Sequence, residues 1–336
     1  MSESGDTAGR VLLICPRFFD YQLRIAGVLH RLGYETVVLD DRPSSHSLYK
    51  AALRLAPGLT ARLTHRITMR HLAEVEGQHF DHVLVVKGEA ITRRAIGALR
   101  QWFPQARFSL YLWDAVRNNR NSKDAAPLYD AAATFDPADA ARYGWGYRPL
   151  FADASVRDDN EEKIYDWSFI GTLHSDRMAV LARLKRSLGD RPFFLFGFYS
   201  SSMLAAFGKL KNMIYGHGSF GTVSTKALAA TAVRQIVSQS RSIVDIEHPQ
   251  QVGLTTRTIE TLMAGRKLIT TNTTVRQSAL YDGTRICVID RFKPEVPADF
   301  FDLPFTPLSE AARYGYSDLC WARRVLGLPD TKISEI

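Results

Sequence analysis

The sequence predicts an α/β protein with two mostly parallel sheets, one in each half of its 336 residues. Three observations predict it. Short apolar runs of strand length alternate with segments of helical period along the whole chain. The runs are continuously apolar, as in Val-Leu-Leu-Ile over 11–14 and Val-Leu-Val-Val over 83–86, which is how strands covered on both faces read. The alternation then pauses at a polar stretch, 152–163, and starts again.

In the first half, the strand over 11–14 precedes a helix over 22–32 that Gly33 closes, and a strand over 35–39 follows. A strand over 82–86 leads to a helix over 92–102, which must stop before Pro104. Strands are expected over 108–112, 131–135 and 148–151, with Asp136 as N-cap and Pro137 as first residue of a helix between the last two. In the second half, strands are expected over 165–170, 192–198, 242–246, 268–271 and 286–289. Helices are expected over 176–188, 201–212, 225–238, 256–264 and 317–326. The expected division is 1–152, a linker over 153–163, a second domain over 164–310, and a terminal helical segment, 311–336, that packs back on the first. A cleft between two such halves is the default place for a site.

Hydrophobic residues make up 46% and charged residues 23%, which favours a packed core over disorder. No run of about 18 apolar residues exists to span a membrane, and residues 1–10 lack the apolar centre of a secretory signal. Cys15, Cys287 and Cys320 match neither a zinc spacing nor a disulfide framework and suit a reducing cytoplasm as buried thiols. The net charge of +8 is unevenly spread. Segment 42–73 has no acidic residue against Arg42, Lys50, Arg54, Arg62, Arg66 and Arg70. On a helix, Arg62, Arg66 and Arg70 form one stripe beside Leu59, Leu63 and Ile67. Such a face suits an anionic membrane surface, here the inner leaflet, although a solvated helix face explains it equally. A second acid-free run, 200–244, carries Lys209, Lys211, Lys226, Arg234 and Arg241. Neither run carries a nucleic-acid reader motif, so anionic small molecules and lipid headgroups are the expected partners and nucleic acid is not.

The densest polar cluster follows the strand over 242–246: Asp245-Ile-Glu-His-Pro-Gln-Gln-Val-Gly253, then Thr255, Thr256, Arg257 and Glu260. In an open α/β sheet, ligands bind beyond the strand ends. A helix N-terminus with an arginine suits a phosphate, and a carboxylate one turn on suits sugar hydroxyls. Thr255 and Thr256 are natural caps whose hydroxyls would face such a ligand. Asp245, Glu247 and His248 lack a third ligand at helpful spacing, so no metal is expected. A second strand–turn–helix unit, Phe169-Ile-Gly-Thr-Leu-His-Ser-Asp-Arg177, places Gly171 and Thr172 beside a helix start capped by Ser175 or Asp176. In the first half, Lys87-Gly-Glu89 and Tyr111-Leu-Trp-Asp114 end strands with carboxylates, and either Glu89 or Asp114 suits a general base. Gly216-His-Gly-Ser-Phe-Gly221 matches G-x-G-x-x-G but follows no strand, and it reads as a loop.

These residues resemble a family. The strand–loop–helix unit with Gly253, Arg257 and Glu260 is similar to the donor site of GT-B glycosyltransferases. More narrowly, Tyr111-Leu-Trp-Asp114, Phe135-Asp136 with Asp139 and Tyr143-Gly144, Ser168-Phe-Ile-Gly-Thr172 with His174-Ser-Asp-Arg177, and the block from Asp245 to Asn272 resemble the CgeB-like and RfaS-like enzymes of lipopolysaccharide and capsule biosynthesis. The resemblance spans about residues 80 to 290. It implies two Rossmann-like domains facing each other across a cleft, with the acceptor on the N-terminal one and the nucleotide sugar on the C-terminal one. It implies that Glu260 holds the ribose, that Arg257 or Lys226 faces the diphosphate, and that neither metal nor cofactor is needed beyond the nucleotide-sugar donor. The acceptor it implies is a surface polysaccharide or a lipid-linked glycan. One departure stands out: many retaining members carry a second glutamate eight residues before the ribose-binding one, and here that position is Val252. Glu247 or Gln251 is the substitute for retention, and Glu89 or Asp114 the base for inversion. A GT-B-shaped UDP-sugar epimerase and a non-catalytic sugar-nucleotide or glycan-binding module are the competing readings.

Overall fold

The computed structural model describes residues 8–17, 20–41, 57–153, 155–156, 161–214 and 221–330, with backbone alone at 57–64, 209 and 211–214. Residues 42–56 of the basic segment, most of the G-x-G-x-x-G stretch and part of the expected linker lie outside the described residues. The chain divides into two compact units, Met1–Leu150 with Asp318–Ile336, and Phe151–Ser317.

Unit 1 is a six-stranded parallel sheet in the order β2-β1-β3-β4-β5-β6. Its strands are β1 (Gly9–Ile14), β2 (Tyr34–Leu39), β3 (His82–Val86), β4 (Arg107–Leu112), β5 (Ala131–Thr134) and β6 (Gly146–Tyr147). The flanking helices are α1 (Tyr21–Arg31), α2 (Pro57–Leu72), α3 (Arg93–Trp102), α4 (Arg120–Ala125) and α5 (Pro137–Tyr143). Local chemistry sets their ends. Thr92 caps α3 through the Ala95 N–H, and Asp136 caps α5 through the Ala138 and Asp139 N–H groups at 2.8 and 3.2 Å. Gly144, in the left-handed region, stops α5. The core packs Leu12, Val83, Val85, Phe108 and Leu110 against Ile96 and Leu99 of α3. In the described part of α2, Arg66 and Arg70 are exposed while Thr68 and Leu72 are buried. The expected strand over 148–151 is absent; pairing ends at Tyr147, and the Arg148 and Pro149 carbonyls instead receive the buried Tyr111 hydroxyl.

Unit 2 is a second six-stranded parallel sheet, in the order β12-β11-β10-β7-β8-β9. Its strands are β7 (Tyr165–Thr172), β8 (Phe193–Phe198), β9 (Thr222–Ser224), β10 (Ser240–Asp245), β11 (Lys267–Thr270) and β12 (Ile286–Val288). Its helices are α6 (Arg177–Leu188), α7 (Ser202–Ile214), α8 (Ala230–Ser238), α9 (Thr256–Met263) and the short α10 (Glu310–Gly315). Trp167, Phe169, Leu181, Leu195, Val244 and Ile269 form its core. The helix expected from 225 starts only at Ala230, and Thr222–Ser224, unassigned in the sequence, forms an edge strand paired with β8. The last helix, α11 (Asp318–Leu326), belongs to unit 1: Trp321 meets Tyr111 edge-on at 5.1 Å, and Asp318 pairs with Arg31 at 2.5 Å. All three cysteines are buried and none is in a disulfide. Among the described residues, no helix is long and apolar enough to cross a membrane.

Candidate functional site

The strand orders locate the crevices. In unit 2, numbering its strands from β7, the order reads 6-5-4-1-2-3, so the winding reverses between β7 and β10. In unit 1 it reverses between β1 and β3. Ligands in open α/β sheets bind beyond the carboxyl ends of the strands at such reversals, where flanking connections leave in opposite directions.

In unit 2, the cluster of polar residues after β10 lies at that reversal. The strand ends on the buried Asp245, whose Oδ2 accepts from the Thr258 hydroxyl at 2.7 Å and from the Thr255 hydroxyl. The Thr255 oxygen in turn accepts the Thr258 N–H at 3.1 Å, which caps α9. Asp245 thus ties the strand to the helix, and the Thr255 hydroxyl, expected to face a ligand, is used in the framework. Thr256 opens the helix half-buried. Arg257 and Glu260 share one face of α9, with Arg257 Nη1 3.9 Å from Glu260 Oε2 and both side chains about 30% exposed.

Two guanidinium groups close the floor. Arg177, at the start of α6, donates to the Ile246 carbonyl at 2.6 Å and to the Thr172 carbonyl at 2.8 Å, bridging the ends of β10 and β7. Arg291, after β12, donates to Asp176 Oδ1 at 2.9 Å, to Glu247 Oε1 at 2.6 Å and to the Glu247 carbonyl at 2.7 Å. The other Glu247 oxygen accepts from the Thr271 hydroxyl at 2.5 Å. Glu247 is therefore a buried carboxylate, 7% exposed in its side chain, with both oxygens held. Gln251, the other substitute at this place, donates to the Gly253 carbonyl at 3.0 Å. Asp176 makes no side-chain cap bond to α6, because Arg291 takes its carboxylate. Arg291 is the framework residue of this candidate site that sequence reading missed; its partners lie 44 and 115 positions away, with no local signal.

Beside this floor, Gly171 and Thr172 end β7, and Gly171 pairs with Gly197 of β8. A Cβ at Gly171 would sit 3.0 Å from the Phe169 ring. His248 is exposed, its ring centroid 5.7 Å from that of His174. His174 is pushed down to about 4, by desolvation first and then by its neighbours Arg177 and His248. Lys226 lies exposed just past β9, where its N–H donates to the Ser224 hydroxyl. Gly253 is buried, with its carbonyl also accepting from Asn272 at 3.3 Å.

In unit 1, the same position beyond β3 holds Lys87, a non-glycine residue in the left-handed region at φ 67°. Gly88 follows at φ 64°, where a Cβ would come within 2.9 Å of Val85. The turn aims the Lys87 ammonium between two carboxylates, 3.0 Å from Asp114 and 3.5 Å from Glu89. Lys87 is 18% exposed, Glu89 28% and Asp114 42%. The two candidate bases thus belong to one cluster, with a cation between them.

Removing Arg291 should strand the Glu247 charge. Arg291→Met is expected to lose about 3–5 kcal/mol in a denaturant melt, and adding Glu247→Gln should restore a large part of it. For His174, the unfolded chain binds a proton near 6.5 and the folded one near 4. The folded state therefore loses stability as pH falls through 6.5 to about 4, and no further from this group below that. His174→Gln should flatten that part of the melting-temperature profile.

No protein-family model and no curated protein sequence matches the chain. Solved structures do resemble it. HepE of Anabaena, in complex with UDP-glucose, superposes with a TM-score of 0.62 at 9% identity, over 95% of this chain and 98% of that one. AviGT4, a glycosyltransferase involved in avilamycin A biosynthesis, gives 0.59 at 14% identity over 95% and 96%. A glycosyltransferase of Rickettsia africae gives 0.58 at 11% identity over 95% and 97%. At these identities the likeness is one of fold: two Rossmann-like domains, as in the GT-B glycosyltransferases.

Proposed function

We propose that the protein is a glycosyltransferase, moving a sugar from a nucleotide-sugar donor to a surface polysaccharide or lipid-linked glycan. One observation carries the reading. At the winding reversal of unit 2, the N-terminus of α9 presents Arg257 and Glu260 together beside a floor whose other charges are already paired. Glu260 takes the ribose hydroxyls as an acceptor pair, and Arg257 faces the diphosphate, with the exposed Lys226 as a second cation. Charge growing on the leaving diphosphate would be met by these cations and by the helix N-terminus, without a metal. Gly171 and Thr172 line the β7 side of the same crevice, and His248 stands at its rim. HepE binds UDP-glucose in this fold, which favours a uridine diphosphate sugar.

The acceptor belongs to unit 1, where Asp114 is the more exposed carboxylate beside Lys87 and suits the base of an inverting transfer. Glu89 holds the same ammonium from the other side. Glu247, enclosed by Thr271 and Arg291, supports a positioning role and weakens a retaining path through it. The narrower kinship, with CgeB-like and RfaS-like enzymes, rests on the sequence phrases alone and would set the acceptor as lipopolysaccharide or capsule at the cytoplasmic face.

A thermal-shift panel of UDP, GDP, CMP and dTDP tests the donor site. UDP at a hundredfold excess over its Kd should stabilise the fold by about 2.7 kcal/mol; no shift from any of the four overturns the assignment. The Arg257–Glu260 pair that Glu260→Ala and Arg257→Ala remove is a partly exposed one, worth about 0.3–0.5 kcal/mol. Each should nevertheless lower kcat/KM for sugar transfer by about 100-fold or more. Undiminished transfer in both variants would remove the roles given to them.

A further inference from the structure

Among the described residues, exposed large apolar side chains are mostly scattered singly, which is ordinary for a protein surface. Four of them gather on α7: Met203 at 75% exposure, Phe207 at 72%, and Leu204 and Leu210 at 48%. Their spacing, i, i+1, i+4 and i+7, puts them on one face. The opposite face is fixed inward. Ala205 packs on the unit 2 core, and Gly208 lies so close to Tyr199 that a Cβ there would collide with its hydroxyl. The helix cannot roll to hide its stripe without breaking that packing.

The stripe sits in the longest acid-free part of the chain. From 191 to 244 there is no acidic residue, and α7 itself carries Lys209 and Lys211. Four side chains on a single helix fall well short of the roughly 800 Å² per partner that a stable protein interface buries. A short apolar stripe on a basic, acid-free segment does satisfy what an interfacial helix needs, since its side chains enter only the headgroup and upper acyl region.

We propose that the outward face of α7 seats on an anionic phospholipid surface, with Met203, Leu204, Phe207 and Leu210 entering the bilayer interface. This would make the contact with lipid a property of the nucleotide-sugar unit, separate from the arginine stripe of α2. It also stands apart from the proposed chemistry, since lipid binding is measurable without turnover.

The experiment is co-sedimentation of the full chain with phosphatidylcholine vesicles, with and without phosphatidylglycerol. The wild type should bind the anionic vesicles and bind the neutral ones weakly. Met203→Ser with Phe207→Ser should reduce anionic binding by about tenfold or more, with an unchanged melting temperature because both side chains are already in water. Arg66→Ala with Arg70→Ala, on exposed positions of α2, should leave most of the binding intact. Equal binding by the α7 variant and the wild type overturns the proposal, as does failure of the wild type to bind. A concentration-dependent dimer in analytical ultracentrifugation that disappears in the α7 variant overturns it too, by assigning the stripe to a second copy.

Discussion

Where β7 and β10 diverge, two neighbouring strands stop supplying each other with hydrogen-bond partners, and the exposed carbonyls of their last residues must be satisfied by something else. In this protein that something is a pair of arginines. Arg177 spans the two strand ends through the Thr172 and Ile246 carbonyls, and Arg291 joins the loop after β10 to the start of α6 through Glu247 and Asp176. Buried charges carry a desolvation cost of several kcal/mol each, offset only when every charge has well-placed partners. The partners here are complete: Thr271 and Arg291 on Glu247, Thr255 and Thr258 on Asp245. Arg177, although desolvation lowers its pKa, is held charged by the nearby Asp245 and Glu247. The charges at these strand ends are thus already paired within the fold.

That closure sorts the polar residues of the segment into two kinds. Asp245, Glu247 and Thr255 face inward and have their hydrogen-bonding capacity used by the fold. Arg257, Glu260 and His248 stand at partly or fully exposed positions, with Arg257 3.9 Å from Glu260 and His248 Nδ1 accepting the Gln250 N–H at 3.3 Å. A ligand would therefore meet the second set without having to break the first. Unit 1 arranges its charges differently: Lys87, Glu89 and Asp114 form one partly exposed cluster, where a substrate hydroxyl can compete for either carboxylate.

The sheet architecture was legible because buried parallel strands are written as unbroken apolar runs, and ten of the expected runs lie on observed strands or within a residue or two of them. Weakly written elements were harder. Thr222–Ser224 is three residues long and gains its strand identity from pairing with β8, so it went unassigned in the sequence. At 148–151, an extended, Pro-containing stretch looks like a strand until the Tyr111 hydroxyl is seen to occupy its carbonyls. The candidate site was legible as a cluster of polar residues but not in how they are divided between framework and exposed surface. Clustering identified the loop after β10, whereas the burial of Glu247 depends on Arg291 and Thr271, which come from other elements. No local pattern distinguishes a carboxylate that is enclosed in this way from one that faces solvent.

Backbone strain offers an independent pointer to the same places. Among the described residues, three non-glycine residues adopt left-handed conformations: Asp20, Lys87 and Ser175. A left-handed non-glycine residue costs about 1–2 kcal/mol, less where a short polar side chain bonds locally. All three lie in connections leaving β1, β3 and β7 for the next helix, and those strands flank the two winding reversals. Helix-to-strand connections instead use glycine where φ is positive, as at Gly33 and Gly144. Lysine at position 87 accepts a strain that glycine would avoid, and what it gains is an ammonium placed between two carboxylates. Ser175 likewise turns the chain so that His174 faces His248 and Asp176 reaches Arg291. Strain that persists at strand ends on both sheets, where the fold itself could have relaxed it, is the pattern expected when the turn is selected for what its side chains present.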